Sequence, residues 1–152
     1  MALLRRVVSG GQTGVDRAAL DVAIALGIPH GGWCPRGRRA EDGSVPSRYG
    51  LVEHSSADYA ARTEANVADG DATLIIARGA LSGGTALTRD VARRVGKPCL
   101  VVDLSARPDP IAVREWLATH AVGVLNVAGP RESQRPGIGD EARAFLREVL
   151  AG

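Results

Sequence analysis

The sequence predicts an α/β fold, a doubly wound and mostly parallel sheet of about five or more strands with helices on both faces. Two observations carry this. Short apolar runs alternate with helix-period patterns along the whole chain, which is the signature of βαβ units. Two of those runs also lead through glycine-rich turns directly into helical patterns, at Ser9–Val15 and Ala77–Thr85. A length of 152 residues, 45% of them hydrophobic, suits a single domain spanning residues 1–152 with one core.

In chain order, the first strand is expected at Leu3–Ser9, an apolar run that passes into the alanine-rich helix Val15–Leu26. A second strand follows at Ile28–Trp33. The segment Cys34–Ser56, "CPRGRRAEDGSVPSRYGLVEHSS", breaks the rhythm: it is rich in glycine, proline and charge and has no period, so it reads as a long loop of functional or disordered character. The helix Asp58–Asp69 and the strand Ala72–Ala77 resume the alternation. In the helix Thr85–Val95, Leu87, Val91 and Val95 share a face while Arg89, Arg93 and Arg94 point elsewhere, and Gly96 with Pro98 stops it. The strand Pro98–Asp103, helix Pro110–His120 and strand Gly123–Val127 come next. In the last helix, Asp140–Leu150, Ala142, Phe145, Leu146, Val149 and Leu150 form an apolar stripe for the sheet.

Composition removes several function classes. Net charge is only +2, and 18 of the 19 basic residues are arginine in a chain rich in alanine and glycine, with no block of like charge to serve a nucleic acid. Cys34 and Cys99 lie 65 residues apart without CxxC or Cys/His spacing, so neither a disulfide framework nor a zinc site is implied. The apolar run at the N-terminus is too short for a signal peptide, and nothing approaches the roughly 18 apolar residues of a spanning helix. A soluble cytoplasmic protein with reduced thiols, binding neither nucleic acid nor membrane, is expected.

The glycine turns carry the chemistry. A strand ending at Ser9, glycines at 10, 11 and 14, and a helix from Val15 put backbone N–H groups and a helix N-terminus at the carboxyl edge of the sheet, a favourable seat for phosphate. Gln12 and Thr13 add side-chain donors. The competing reading is a tight turn with Asp16 as the dipole partner of its own helix. Ser82, Gly83, Gly84 and Thr85 repeat the arrangement, and two such loops converge if their strands are neighbours. A third polar loop supplies Arg131, Ser133 and Arg135, and arginine grips oxyanions through paired N–H groups. On this reading Gly11→Asp should abolish anion binding and spare the fold. Glu41 and Asp42 suit a cation, a ligand ring, or simply a charged turn; Cys34, in the irregular segment, could meet a metal. A G-G-x-x-G spacing without an acidic residue after the second strand argues against a dinucleotide site, and no G-x-x-x-x-G-K-[ST] is present. His30, His54 and His120 have no metal-ligand pairing, and Ser9 has neither a nucleophile elbow nor a histidine partner.

The segments "SGGQTGVDRAALD", "GGWCPRGRRAEDG", "RTEANVADGDATLI", "LSGGTALT" and "LNVAGPRES" followed by "RPGI" resemble the molybdenum carrier family, proteins similar to the molybdenum-cofactor carrier protein. That family sits in a Rossmann-like superfamily with lysine-decarboxylase-like phosphoribohydrolases. The resemblance implies binding, carriage or protection of molybdenum cofactor (molybdopterin) or another phosphate-bearing small molecule. The implied contacts are Ser9, Gly10, Gly11, Gln12, Thr13 and Gly14 facing Ser82, Gly83, Gly84 and Thr85, with Asn126, Arg131 and Ser133 at matching motif positions and no metal ligand or catalytic residue. It also implies a homo-oligomer that hands cofactor to molybdoenzymes. The phosphoribohydrolases carry a catalytic glutamate three residues after the loop threonine. Thr88 stands there in this chain, and Asp90 turns roughly 200° around the helix from that position. Nucleoside-monophosphate hydrolysis would need a carboxylate from elsewhere, such as Glu41, Asp42 or Glu64. A nucleotide-sensing module acting through a separate partner is the third reading.

Overall fold

The structure, a computed structural model, describes residues 4–151, so Leu3 at the head of the expected first strand lies outside the described residues. Among the described residues nine strands and five α-helices follow in the order β1 (Arg6–Val8), α1 (Val15–Leu26), β2 (His30–Gly31), β3 (Trp33–Cys34), β4 (Arg39–Ala40), β5 (Gly43–Ser44), β6 (Val52–Glu53), α2 (Tyr59–Asp69), β7 (Ala72–Ala77), α3 (Gly83–Val95), β8 (Cys99–Asp103), α4 (Pro110–Thr119), β9 (Val124–Ala128) and α5 (Ile138–Leu150). Five of the strands form an all-parallel sheet in the order β2-β1-β9-β7-β8. The protein is thus the doubly wound α/β structure that the sequence predicts.

Strand alternation divides the core into two layers. Val7, Leu74, Ile76, Leu125 and Val127 pack with α1, α4 and α5 through Val15, Ala19, Val22, Val113, Ile138, Ala142, Leu146 and Val149, all buried. On the opposite face α2 and α3 supply a smaller cluster of Val67, Val91 and Ala92. Gly27 and Gly96 end α1 and α3 in the left-handed conformation, and Asp58 and Asp109 cap α2 and α4 by accepting from Ala60 and Ile111 N–H groups.

Two expectations are corrected. The second strand does not run unbroken to Trp33. It pairs with β1 only at His30 and Gly31, and after Gly32 the chain leaves the sheet, Trp33 and Cys34 pairing instead with Val52 and Glu53. The segment between Cys34 and Ser56 is also no open loop. Cys34, Val45, Tyr49 and Leu51 bury a second core against Leu20 of α1. Arg38, at a positive φ of 54°, holds it from within by donating to the carbonyls of Val45 (3.1 Å), Leu51 (3.3 Å), Pro46 (2.8 Å) and Tyr49 (2.9 Å). The Tyr49 hydroxyl donates to Asp21 Oδ1 at 2.6 Å, anchoring the insert to α1 again. Its apolar residues have no period because short strands and turns, rather than one regular element, bring them inward.

Leu20 is the α1 residue on which this second core rests. Leu20→Ala should lower unfolding stability by about 2–5 kcal/mol and raise amide exchange most in residues 34–56, as chemical denaturation and hydrogen exchange would register.

Candidate functional site

The chain leaves β1 through α1 toward β2, and leaves β7 through α3 toward β8, with β9 between them. Loops that depart in opposite directions open a crevice at the carboxyl ends of the strands. A cavity of about 100 Å³ lies there, walled by Gln12 and Asp16, by Tyr59, Arg62 and Thr63 of α2, by Gly84, Thr85 and Thr88 of α3, and by Gly129, Arg131 and Gln134. A single water needs only about 10–15 Å³.

The two glycine loops differ in how they use their donors. In the first, Gln12 N–H donates to Asp16 Oδ2 at 3.2 Å, Val15 N–H donates to the Pro130 carbonyl at 3.3 Å, and Ser9 Oγ donates to the Asp16 carbonyl at 3.1 Å. Asp16 therefore meets the head of α1 as an external anion would. Gly14, at φ 81° and ψ −127°, lies so close to the next loop that a Cβ would stand 2.4 Å from the Pro130 oxygen. In the second loop Ser82 caps α3 without a side-chain hydrogen bond, and the N–H groups of Gly83, Gly84 and Thr85 have no partner among the described residues. This helix end is the open one.

Arg62 enters from α2 across Gly10, where a Cβ would lie 1.8 Å from Nη1. Its side chain is 13% exposed, Nη1 stands 3.5 Å from Asp16 Oδ2, and Nε is buried without a partner. Burial pushes the Asp16 carboxyl up from its ordinary value, against the opposing pull of Arg62. Gln12 is 2% exposed; its Nε2 donates to the Arg39 carbonyl at 2.8 Å, and Oε1 is buried without a donor.

The β4–β5 hairpin closes over the other side of the first loop. Glu41 accepts from the hydroxyls of Thr13 and Ser133 and, at 3.2 Å, from Ser133 N–H, with Arg131 Nε at 3.8 Å. Desolvation works against the charged form, but the hydrogen bonds from Ser133 and Thr13 and the charge of Arg131 outweigh it and hold the Glu41 carboxyl below its ordinary value. Arg17 grips Asp42 with both terminal nitrogens, at 2.6 and 2.8 Å, and holds that carboxyl down too.

Of the residues singled out in the sequence, Gln12, Gly84, Thr85 and Arg131 meet at the cavity, Gly10 lies beneath Arg62, and Gly83 begins α3. Ser82 and Arg135 line a smaller adjoining pocket. Thr13 and Gly14 face a separate groove with Arg17 and Glu132, and Ser133 is held by Glu41. Ser9 is buried, as is Asn126, whose Nδ2 donates to Thr73 Oγ1 at 3.3 Å. Glu41 and Asp42 act here as a latch, and Cys34 is fully buried in the insert, its thiol pushed up by burial. Among the described residues no three His, Cys, Asp or Glu side chains gather as a metal site. Arg62 was missed because an arginine on a polar helix turn has no distinctive spacing. The expectation that Gly11→Asp spares the fold is also corrected: Gly11 has φ +78°, and a Cβ would meet Leu51 Cδ1 at 2.6 Å.

The circularly permutated YpsA SLOG family matches residues 7–150 of the chain. A crystal structure of the "Putative molybdenum carrier protein" from Syntrophus aciditrophicus SB is 47% identical and superposes with a TM-score of 0.93, covering 97% of this chain and 96% of that one. No curated protein matches.

The lowered Glu41 and Asp42 carboxyls fix a pH dependence. A group held below its ordinary value adds stability at pH above that value, 4.5 for Glu41 and 3.8 for Asp42, and loses it as pH falls further. Hydrogen exchange should find the Ser133 amide equally protected at pH 7 and 5.5 and less protected near pH 3, with Glu41→Gln flattening the difference.

Proposed function

We propose, because this chain belongs to the circularly permutated YpsA SLOG family, that it binds and carries a phosphate-bearing small molecule, molybdenum cofactor in the first instance, at the carboxyl edge of its sheet. The observation that carries this reading is the cavity over the uncapped N-terminus of α3. The N–H groups of Gly83, Gly84 and Thr85, without partners among the described residues, and the positive end of a helix suit a phosphate dianion. Ser82, Gly83, Gly84 and Thr85 form the phosphate seat, Arg131 stands at its rim, and the rest of the ligand extends toward Gln12. In this reading Ser9, Gly10, Gly11 and Gly14 shape the floor, while Thr13, Ser133 and Asn126 fix the surrounding backbone.

The fit to molybdenum cofactor rests on its phosphate and its polar pterin. The cavity has helix-end N–H donors for the first, and for the second its walls include Gln12 and Arg62, whose buried Oε1 and Nε are unpaired among the described residues. Carriage rather than turnover is supported by Thr88, whose hydroxyl donates to the Gly84 carbonyl at 2.9 Å on the wall where the resembling hydrolases place glutamate. The wall's one carboxylate, Asp16, is committed to Arg62 and to Gln12 N–H. Delivery to molybdoenzymes by a cytoplasmic homo-oligomer extends the same reading.

Mass spectrometry with elemental analysis of ligand released from freshly purified protein is expected to find a pterin phosphate with stoichiometric molybdenum. A nucleotide without metal would move the case to the hydrolase or sensor readings, which an assay for free base separates. Gly84→Asp supplies the cleaner loop variant, because a Cβ there meets nothing within 4 Å. It should leave stability unchanged or raised by up to about 1 kcal/mol and weaken phosphate-ligand binding by about 100-fold or more through like-charge repulsion. Unchanged affinity would refute the seat.

A further inference from the structure

The cavity has two unlike ends. Toward α3 it offers backbone N–H groups without a partner among the described residues and the positive end of a helix dipole, both favouring an anion, with Arg131, which Glu41 meets at 3.8 Å, at the rim. Toward α2 it offers Arg62 and Asp16 3.5 Å apart, one positive and one negative charge whose fields largely cancel. A phosphate brought against Arg62 would also be brought against the Asp16 carboxylate, and in so buried a place that repulsion is weakly screened. An uncharged polar group meets no such penalty.

The hydrogen-bond inventory at this end is unfinished in a particular way. Arg62 carries five N–H donors; its Nη1 stands 3.5 Å from Asp16 Oδ2, while its buried Nε has no hydrogen-bond partner among the described residues. Gln12 has its amide nitrogen fixed by the Arg39 carbonyl, which defines Oε1 as the unspent acceptor, in a residue only 2% exposed. Buried polar atoms in native proteins are almost always paired. One spare donor and one spare acceptor on a charge-balanced wall match a neutral group that carries both. Tyr59, its ring 5.7 Å from Arg62 Cζ, adds an aromatic surface to the same wall.

We propose that Gln12, Asp16 and Arg62 form a ring-reading subsite, which recognises the uncharged edge of a heterocycle, an N–H donor next to a carbonyl acceptor, on a molecule whose phosphate sits at α3. Arg62 donates to the carbonyl, Gln12 Oε1 accepts from the N–H, and Asp16 holds Arg62 in place. The subsite rests on the phosphate reading above and adds to it that a bare oxyanion is a poor ligand. The three residues set specificity.

The test compares guanosine 5′-monophosphate, which carries such an edge, with ribose 5-phosphate, which carries only the phosphate and sugar, by titration calorimetry on the full chain. The wild-type protein should prefer the nucleotide by about tenfold or more, since each tenfold corresponds to one well-made hydrogen bond. Arg62→Gln should bring the two affinities together by weakening the nucleotide alone. Because Arg62→Gln leaves Asp16 buried without its partner, the pair Asp16→Asn with Arg62→Gln is measured alongside, with a thermal melt as the check on folding, and is expected to give the same loss of preference. If ribose 5-phosphate weakens as much as the nucleotide, Arg62 belongs to the phosphate seat and the proposal falls while the phosphate reading stands. Equal wild-type affinities for the two probes also overturn it alone. If neither probe binds, the phosphate reading falls and takes the subsite with it.

Discussion

The buried carboxylate of Asp16 joins the three parts of the molecule that meet at the carboxyl edge. It accepts the Gln12 N–H of the first loop, stands 3.5 Å from Arg62 of α2, and belongs to the first turn of α1, whose carbonyl at that same residue holds Ser9. A carboxylate removed from water is costly unless its charge is met. Here the helix end, an amide and a guanidinium meet it together, so none of the three can shift without leaving a charge unpaired. The glycine at position 10 follows from this: Arg62 reaches Asp16 only by crossing backbone where a side chain would stand.

The same constraint divides the work of the two glycine loops. They look alike in sequence, strand then glycines then helix, and both end at the same cavity. The first is completed by its own carboxylate, by Pro130 and by Arg62. The second keeps three N–H groups without a partner among the described residues. A helix N-terminus binds an anion only if nothing in the protein already serves it, so the difference between the loops lies in Asp16, which the second loop has no equivalent of: its first turn carries no acidic residue.

The insert between Cys34 and Ser56 adds the outer wall. Its small core holds it on Leu20, and its hairpin tip reaches over the first loop, where Glu41 ties Thr13 to Ser133 and Asp42 takes Arg17. Residues from the first and last loops are thus joined through a segment that belongs to neither. A polar, glycine-rich stretch becomes ordered here because Arg38 satisfies four of its carbonyls from inside, which spares the backbone the need for a regular ladder.

Periodicity and punctuation in the sequence were enough to determine the parallel α/β layering. Alternating apolar runs and helical stripes at Ala72–Ala77, Thr85–Val95 and Asp140–Leu150 are local patterns, and burial on a sheet or helix face is what produces them. The glycine turns were legible for the same reason, since a turn at a strand end is a local event. Strand order, the exit of Trp33 from the sheet, the second core and the arrival of Arg62 on Gly10 were decided only by the tertiary structure. Each depends on residues distant in sequence coming together, and an arginine that will be buried on a carboxylate has the same spelling as one that will face water.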